Sequence, residues 1–320
     1  MNAAVVHAFD ALPRYESFGD PAAGEGEVIV EVRAAALHQV VKGIASGKHY
    51  ASTGTLPMIP GIDGVGRLTD GARVYFGISR PPFGTFAERS VTRRHLCLPL
   101  PDSLDDVTVA AMMNPGMSAW APLTARTQFA AGESILILGA TGVAGQLAVQ
   151  VARRLGARRV VAAGRHPEAL AQLQSLGADA VISLSVERDA LVSAFREEFA
   201  RGKIDVVLDY LWGSPAEAVL AAISQRGLQH DASRIRYVQV GSSAGPAISL
   251  QAATLRSSDL ELLGSGFGSV SITRIFEVLA DFLKEAAKGP FQIKTKTASL
   301  RDVESLWHAS EQGVRLVFLP

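Results

Sequence analysis

The sequence predicts an α/β protein in which a doubly wound parallel sheet is joined to a smaller domain rich in β-strands. The main observation is a regular alternation of aliphatic strands and amphipathic helices that starts near Ser134. The first third of the chain instead consists of short β-branched runs separated by glycine and proline. With 320 residues the chain is longer than one average domain, so two domains are expected.

The parallel sheet is predicted from six short, continuous apolar runs, which are typical of strands covered on both faces. They lie at Ile135–Leu138, Arg159–Ala163, Ala180–Ile182, Ile204–Leu208, Arg236–Val240 and Glu261–Leu263. Four helices are predicted between them, at Ala144–Leu155, Pro167–Ser175, Arg188–Phe199 and Ser214–Gln225. Right-handed crossovers between such strands give a doubly wound fold.

The β-rich domain is predicted from runs such as Val28–Val32 and from a hairpin centred on Asp70-Gly71. Phe83–Glu88 is predicted as a further strand. The closing segment carries a predicted helix and the strand Arg315–Leu319, which resemble the first domain more than the second. We therefore expect a first domain at 1–117, completed by about 289–320, and a second domain at 118–288.

Composition excludes several functional classes. Basic and acidic residues number 31 each, which gives no support to a nucleic-acid partner. The arginines near 153–159 are better interpreted as a solvated helix end than as a basic patch. A single cysteine, Cys97, excludes an intramolecular disulfide and a four-cysteine zinc site.

Targeting signals are not recognisable in the sequence. The N-terminal residues carry Asp10 and lack a basic region, so no signal peptide is predicted. The most apolar segment, Ile135–Val151, is interrupted by glycines and Gln146, so it predicts a strand and a helix rather than a membrane span. We expect a cytoplasmic protein without a membrane or nucleic-acid partner.

The stretch GATGVAG follows the first predicted parallel strand and precedes a predicted helix. In this setting it predicts a dinucleotide-binding turn of the Rossmann type, since small residues permit the turn and let the backbone approach a pyrophosphate. A strand–helix turn without a ligand is the alternative. The predicted contacts are Ala140, Thr141, Gly142, Val143, Ala144 and Gly145.

The end of the second parallel strand selects the dinucleotide. An NAD site usually has Asp or Glu there to bind the ribose hydroxyl, whereas this chain has Gly164, Arg165 and His166. A guanidinium binds phosphate oxygens in a fork, so the sequence favours NADPH over NADH. A solvated loop arginine is the alternative interpretation of Arg165.

These features together resemble the medium-chain dehydrogenase/reductase superfamily, as do the run Gln172–Asp179 and the stretch Pro60–Gly66. The resemblance covers essentially the whole chain and extends to the zinc-independent quinone oxidoreductase branch, the zeta-crystallin-like proteins. It implies a GroES-like catalytic domain beside the Rossmann domain and a cleft between the two. It also implies a homodimer, with an edge strand near Leu260–Gly264 as the expected interface.

Zinc-dependent members of this superfamily hold their catalytic metal with two cysteines and a histidine. His38, Ile62 and Pro115 match those positions here, so no catalytic zinc is expected. His38 then has two interpretations, a residue that contacts the substrate near the nicotinamide or a histidine satisfied in the core. Without a metal, hydride transfer needs an acceptor that is already electrophilic, such as a quinone or a conjugated enone.

The branch carries a tyrosine near the substrate in the loop that corresponds to Ser46–Tyr50. The resemblance therefore implies Tyr50 as the hydrogen-bond donor to the acceptor, with His49 second and Lys42 a distant third. A surface loop in which Tyr50 packs against a neighbour is the alternative. The branch often has Asn and Asp at the positions of His38 and Val41, and neither is present here.

Further cofactor contacts are implied by position after the later parallel strands and near the domain junction. They are Tyr210, Leu211, Gly241, Ser242, Ser243, Phe267, Asn114 and Ser118, with Trp212 beside the substrate or packed as a helix cap. The predicted function is reduction of quinones or related electrophilic carbonyls by NADPH. The alternatives are an enoyl or 2-alkenal reductase and, from a different class, an NADPH-binding sensor or scaffold with little turnover.

Overall fold

The computed structural model describes residues 1–224 and 233–320, and two compact units are present in them. One unit contains Met1–Pro115 and Leu279–Pro320, and the other contains Gly116–Val278. Neither unit shares a sheet with the other, and each has its own apolar core. The predicted α/β fold class is confirmed.

The second unit is built on a six-stranded parallel sheet. Its strands are β8 (Ser134–Leu138), β9 (Arg159–Gly164), β10 (Ala180–Ser183), β11 (Val206–Asp209), β12 (Ile235–Gln239) and β13 (Leu260–Gly264). Their order in the sheet is β10-β9-β8-β11-β12-β13. The order reverses between β8 and β11, and ligands of such sheets bind at the carboxyl edge at that point.

Helices cover this sheet between successive strands. They are α3 (Val143–Arg154), α4 (Pro167–Ser175), α5 (Arg188–Arg201), α6 (Gly213–Ile223) and α7 (Ala252–Arg256). The bounds of α4 are those predicted, because Pro167 starts a helix well and Gly177 follows its end with a φ of 115°. Gln225, the last residue of the helix predicted at Ser214–Gln225, lies outside the described residues.

The first unit contains a seven-stranded sheet and a two-stranded sheet. The two-stranded sheet pairs β1 (Asn2–Val5) with β2 (Arg14–Ser17), and the larger sheet contains β3 (Glu27–Ala36), β4 (Asp63–Leu68), β5 (Arg73–Gly77), β6 (Arg89–Arg93), β7 (Cys97–Pro99), β14 (Lys294–Ser299) and β15 (Val314–Leu319). The predicted hairpin is confirmed, since β4 pairs antiparallel with β5 around Gly71, which has a φ of 86°. The C-terminal strand β15 pairs with β3.

The remaining helices include α1 (Gln39–Ala45) and α9 (Val303–Leu306) in the first unit. Two further helices, α2 (Asp106–Ala121) and α8 (Ile272–Lys288), contain the points at which the chain passes from one unit to the other. None of the helices within the described ranges has the length and apolar character that a bilayer crossing requires.

The strand predicted at Phe83–Glu88 is wrong. This segment makes single backbone hydrogen bonds to separate parts of the chain, for example from Phe86 to Pro60 and from Glu88 to Asn2. Gly84 lies against the backbone at Ile59, where a Cβ atom would come within 2.2 Å of the carbonyl oxygen. The segment therefore has no continuous ladder, and the strand β6 begins after it.

The arginines near 153–159 form hydrogen bonds and ion pairs within the second unit. Arg153 donates to the backbone carbonyls of Gly177 and Ala157 and pairs with Asp179, and Arg159 pairs with Glu198. These contacts tie helix ends to strand ends within one unit, so Arg153 and Arg159 are held in internal ion pairs and are not the solvated helix end that the sequence predicted.

Candidate active site

The glycine turn joins β8 to α3 at the carboxyl edge of the parallel sheet. Gly139 has a φ of 82°, a conformation that favours glycine. The N–H groups of Gly139 and Ala140 both donate to the carbonyl oxygen of Ala163, at 3.0 and 2.9 Å. These bonds hold the turn against the neighbouring strand β9.

Two glycines of the turn have opposite surroundings. A Cβ atom on Gly145 would lie 2.3 Å from the carbonyl oxygen of Gly139 and 2.4 Å from the Cα atom of Ala140. A Cβ atom on Gly142 would have only that same oxygen nearby, at 3.6 Å. Gly145 is therefore needed for packing of the helix on the turn, whereas Gly142 faces open space.

The start of α3 presents backbone donors beside Gly142 that have no partner within the helix. The first helical hydrogen bond runs from the N–H of Gln146 to the carbonyl of Gly142 at 2.9 Å. The N–H groups of Val143, Ala144 and Gly145 precede it, and donors of a first helical turn have no partner within the helix. Such donors attract an anion, and the open space at Gly142 fits a pyrophosphate there.

Beside this turn, β9 ends at Gly164 and is followed by two exposed basic residues, Arg165 and His166. Gly164 has a local reason to be glycine, because a Cβ atom would lie 2.4 Å from the Cγ2 atom of Thr141. No carboxylate within the described ranges pairs with the Arg165 guanidinium, and the backbone carbonyl of this residue accepts a hydrogen bond from the Ser185 hydroxyl. The arginine is therefore available to an anionic ligand.

Asp209, at the end of β11, organises the loop that follows. Its Oδ1 accepts hydrogen bonds from the N–H groups of Leu211 and Trp212 at 2.7 and 3.0 Å, and its Oδ2 accepts one from the Tyr237 hydroxyl at 2.7 Å. The carboxyl is fully buried, and burial raises its pKa while these three donors oppose the rise. Trp212 is held at a φ of 56°, which is unusual for a residue other than glycine.

The loop Tyr210–Gly213 interlocks with the loops after β8 and β12. A Cβ atom on Gly139 would lie 3.0 Å from the Leu211 side chain, and one on Gly241 would lie 2.7 Å from the carbonyl oxygen of Tyr210. The Ser243 hydroxyl donates to that carbonyl at 3.1 Å. These three loops therefore form one connected surface at the carboxyl edge.

The predicted contacts near the junction lie in α2 and beyond β13. Ser118 donates to the Tyr210 hydroxyl at 3.2 Å, and burial raises the pKa of that tyrosine. Asn114 is half-buried one residue before the end of the first unit's N-terminal segment. Phe267 is half-buried in a turn closed by a hydrogen bond between Gly266 and Ser269.

Two further predicted residues lie in the loops after β11 and β12. Ser242 is exposed, and its carbonyl accepts a hydrogen bond from the N–H of Gly245 at 3.2 Å. Trp212 is half-buried and packs on the core of the second unit, where its ring meets Tyr237 edge-on at 6.3 Å. This contact supports the packing interpretation of Trp212. Its predicted place beside the substrate stays a prediction.

The loop after α1 presents Tyr50 to solvent. Its side chain is 69% exposed and stacks on the His49 ring, with centroids 4.3 Å apart. His49 accepts a hydrogen bond from the N–H of Ala51 through Nδ1, so this ring is fixed in orientation, and burial lowers its pKa. This exposed and stacked position agrees with the alternative of a surface loop in which Tyr50 packs against a neighbour, and its role as donor to the acceptor stays a prediction.

The zinc-ligand positions of the superfamily do not fit a metal here. Ile62 is an apolar residue packed on the first unit's core, and Pro115 lies inside α2. His38 is 2% exposed, and its Nε2 lies 3.4 Å from Asp63 Oδ1. The described residues contain no group of three or more His, Cys, Asp or Glu side chains arranged to hold a metal ion.

The structure also identifies polar residues that sequence reasoning missed. Asp63 accepts a hydrogen bond from the Tyr75 hydroxyl at 2.8 Å, and Arg315 donates to the carbonyl of Leu37 at 2.8 Å. Burial lowers the pKa of His38 and lowers that of Arg315 to about 10, while Asp63 opposes both shifts. Asp209 could have been identified from the sequence, because an acidic residue directly follows an aliphatic strand there. The proximity of His38, Asp63 and Arg315 could not, because it depends on which strands pair.

Comparison with known proteins shows that the chain is similar to dehydrogenases and reductases. The zinc-binding dehydrogenase family matches residues 143–285. The probable NADPH-dependent quinone reductase tdiC of Emericella nidulans is 28% identical, with both chains covered in full. The chloroplastic NADPH-dependent alkenal/one oxidoreductase of Arabidopsis thaliana is 32% identical over 56% of this chain and 50% of its own.

A solved structure extends this likeness to three dimensions. The quinone oxidoreductase of Thermus thermophilus, which was also solved in complex with NADPH, has a TM-score of 0.81 and 26% identity, with both chains covered in full. Over its full length the chain is therefore similar to the quinone oxidoreductase branch of the medium-chain dehydrogenase/reductase superfamily. It is an NAD(P)H-dependent oxidoreductase related to the quinone reductases.

Proposed function

We propose that the chain reduces quinones or related electrophilic carbonyl compounds with NADPH and without a metal. The observation that carries this proposal is Arg165, exposed and without a carboxylate partner in the described residues, beside a glycine turn that leaves open space at Gly142. The relatives named for NADPH-dependent quinone reduction support it. In this proposal the second unit binds the cofactor and the first unit binds the acceptor, as the predicted domains imply.

The residues of the second unit would bind and orient the cofactor. The first-turn N–H groups of α3 would hold the pyrophosphate, and Arg165, with His166 beside it, would bind the 2′-phosphate. The loop Tyr210–Trp212 would line the adenine side, and the loop Gly241–Ser243 would lie at the nicotinamide ribose. NADPH supplies a hydride when it is bound.

The residues of the first unit would act on the acceptor. Tyr50 would donate a hydrogen bond to the oxyanion that develops on the acceptor as the hydride arrives, with His49 holding its ring by stacking. One proton from solvent completes the balance, so the acceptor gains one hydride and one proton and NADPH becomes NADP⁺. No residue has to carry charge at neutral pH for this role.

The test of the cofactor assignment is the variant Arg165→Ala. We expect kcat/KM for NADPH to fall by about tenfold or more, equivalent to about 1.4 kcal/mol, with that for NADH nearly unchanged. Arg201→Ala is the matched control, because Arg201 ends α5 and helices of this fold run back toward the opposite edge of the sheet. Equal losses for NADPH and NADH would refute the assignment.

An enoyl or 2-alkenal reductase is the second candidate, and the Arabidopsis relative named as an alkenal/one oxidoreductase favours it. The products distinguish the two functions, since a quinone gives a hydroquinone whereas an enone gives a saturated carbonyl. Tight NADPH binding without turnover of either class would instead support the sensor or scaffold.

We also propose a homodimer, as the resemblance implies. β13 is the last strand of the described parallel sheet and pairs with β12 on one side. Leu262, in the middle of that strand, is 38% exposed, so an apolar residue lies on an edge that a second copy can extend.

A further inference from the structure

The first unit contains a cluster of buried polar atoms that have no hydrogen-bond partner among the described residues. Within residues 1–224 and 233–320, every such side-chain atom belongs to one of three residues: Nδ1 and Nε2 of His38, Oδ1 of Asp63 and Nε of Arg315. His38 precedes α1, Asp63 begins β4 and Arg315 lies in β15, and the charges of Asp63 and Arg315 both act on the His38 imidazole. We call these three residues the buried polar cluster.

The cluster is assembled by contacts on its other atoms. Asp63 Oδ2 accepts a hydrogen bond from Tyr75, and Arg315 Nη1 donates to the carbonyl of Leu37, next to His38. His38 Nε2 lies 3.4 Å from Asp63 Oδ1, at ion-pair distance but without hydrogen-bond geometry. The unpaired atoms are therefore one strong donor, one strong acceptor, and an imidazole that offers one of each.

Buried polar groups in proteins are nearly always hydrogen-bonded, either to protein or to ordered water. The group that satisfies this cluster must accept a bond from Arg315 Nε and donate one to Asp63 Oδ1. An anion would be repelled by the Asp63 carboxylate, and a metal cation would be repelled by the Arg315 guanidinium. Because the four atoms are closed to solvent, the group must also be small.

We propose that His38, Asp63 and Arg315 enclose a binding site for internal water, and that this hydrated cluster positions α1 and the loop that carries Tyr50. A water molecule is both donor and acceptor, and buried waters typically make about three hydrogen bonds to otherwise unsatisfied groups. The water accepts from Arg315, donates to Asp63 and bonds to one ring nitrogen of His38.

The connection to Tyr50 runs through the backbone of α1. Residue 37 is tied to β15 twice, by its N–H to Leu316 and by its carbonyl to Arg315. At the other end of the helix, the carbonyl of Gly43 accepts hydrogen bonds from the N–H groups of Lys48 and His49 at 3.2 and 3.1 Å. His49 then carries the stacked Tyr50 ring, so the cluster fixes the start of the helix on which this loop rests.

A crystal structure at about 1.5 Å resolution tests the water site directly. We expect density for a water oxygen within hydrogen-bond distance, about 3 Å, of both Asp63 Oδ1 and Arg315 Nε. A cluster that closes on itself by a direct Asp63–Arg315 contact, or one without such density, would overturn the site. This result does not depend on which acceptor the enzyme reduces.

The positioning role rests on the proposed function of Tyr50 and needs a kinetic test. Asp63→Leu removes the acceptor, and the double variant Asp63→Leu/Tyr75→Phe removes both partners of that hydrogen bond in case the single variant does not fold. We expect kcat with a quinone to fall about tenfold while KM for NADPH stays within twofold. Asp63→Asn should restore most of kcat, because its amide oxygen can accept from the water while its NH2 group donates to the Tyr75 hydroxyl oxygen.

The control is Thr92→Val, which removes another buried hydroxyl hydrogen bond of the same unit, to the carbonyl of Gly77. It should leave kcat unchanged. A folded Asp63→Leu/Tyr75→Phe variant with wild-type kcat would refute the positioning role. If the wild type itself reduces no quinone, the proposed function fails, whereas the crystallographic test of the water site still stands.

Discussion

The two glycines of the β8–α3 turn allow the cofactor-binding role to be separated from the structural one. Gly145→Ala places a methyl group 2.3 Å from a carbonyl oxygen and 2.4 Å from a Cα atom, and neither backbone atom can move without displacing the turn. Gly142→Ala places its methyl group 3.6 Å from the nearest atom, at a φ of −79° that any residue adopts. The first change should destabilise the fold, and the second should affect the ligand.

The expected magnitudes follow from these distances. Overpacking of a tight contact costs about 1–3 kcal/mol, which for a unit of this size lowers Tm by about 4–8 °C at the middle of that range. For Gly142→Ala, the loss of a favourable helix cap, about 0.5–1 kcal/mol, is offset by the smaller entropy of the unfolded chain. Its Tm should therefore change by less than about 3 °C, while Kd for NADPH rises at least about tenfold.

The assay pairs a thermal scan with calorimetric titration of NADPH into each variant. Gly19→Ala is the control, since a methyl group on Gly19 would have no neighbouring atom within 4 Å and should change neither quantity. The reasoning would be refuted by Gly142→Ala binding NADPH like the wild type, or by Gly145→Ala melting at the wild-type temperature.

Three further predictions concern single residues. Tyr50→Phe keeps the ring that stacks on His49 and removes the hydroxyl, so kcat should fall by up to about 10²-fold with Kd for NADPH unchanged. A variant with wild-type kcat would show that Tyr50 only packs against its neighbour. Because burial lowers the folded-state pKa of His38 below 6.5, the unfolded chain binds the extra proton first, and stability is lost as pH falls below about 7. Between pH 7 and 5 the Tm of the wild type should therefore fall more steeply than that of His38→Phe, and equal slopes in scanning fluorimetry would contradict this. Leu262→Glu should convert the proposed dimer to a monomer in analytical ultracentrifugation, and an unchanged mass would exclude this edge as the interface.

Local patterns predicted the parallel sheet well because its strands are continuous aliphatic runs between helices with clear start and stop signals. The bounds predicted for α4 and the hairpin at Gly71 illustrate this, since proline and glycine set backbone angles directly. The strand predicted at Phe83–Glu88 was wrong because a local pattern does not show whether a partner strand is present. An alternating run predicts a strand only when a partner runs alongside it, and here the partners are scattered backbone groups.

The candidate site was predictable where its chemistry lies in one continuous stretch. The glycine turn and the basic end of β9 are of this kind. The Asp209–Tyr237 hydrogen bond and the His38–Asp63–Arg315 cluster depend instead on which strands are neighbours, as with the pairing of β15 to β3. Residues 38, 63 and 315 are too far apart in the chain for any spacing rule to connect them.

The most direct test of the proposed function is a single-turnover reaction of the purified protein with NADPH and a simple quinone, in which the cofactor is followed by absorbance and the product by mass spectrometry. We expect one hydroquinone for each NADPH oxidised, with a much slower reaction from NADH. NADPH that binds but is not oxidised by the quinone, or equal rates from the two cofactors, would contradict the proposal.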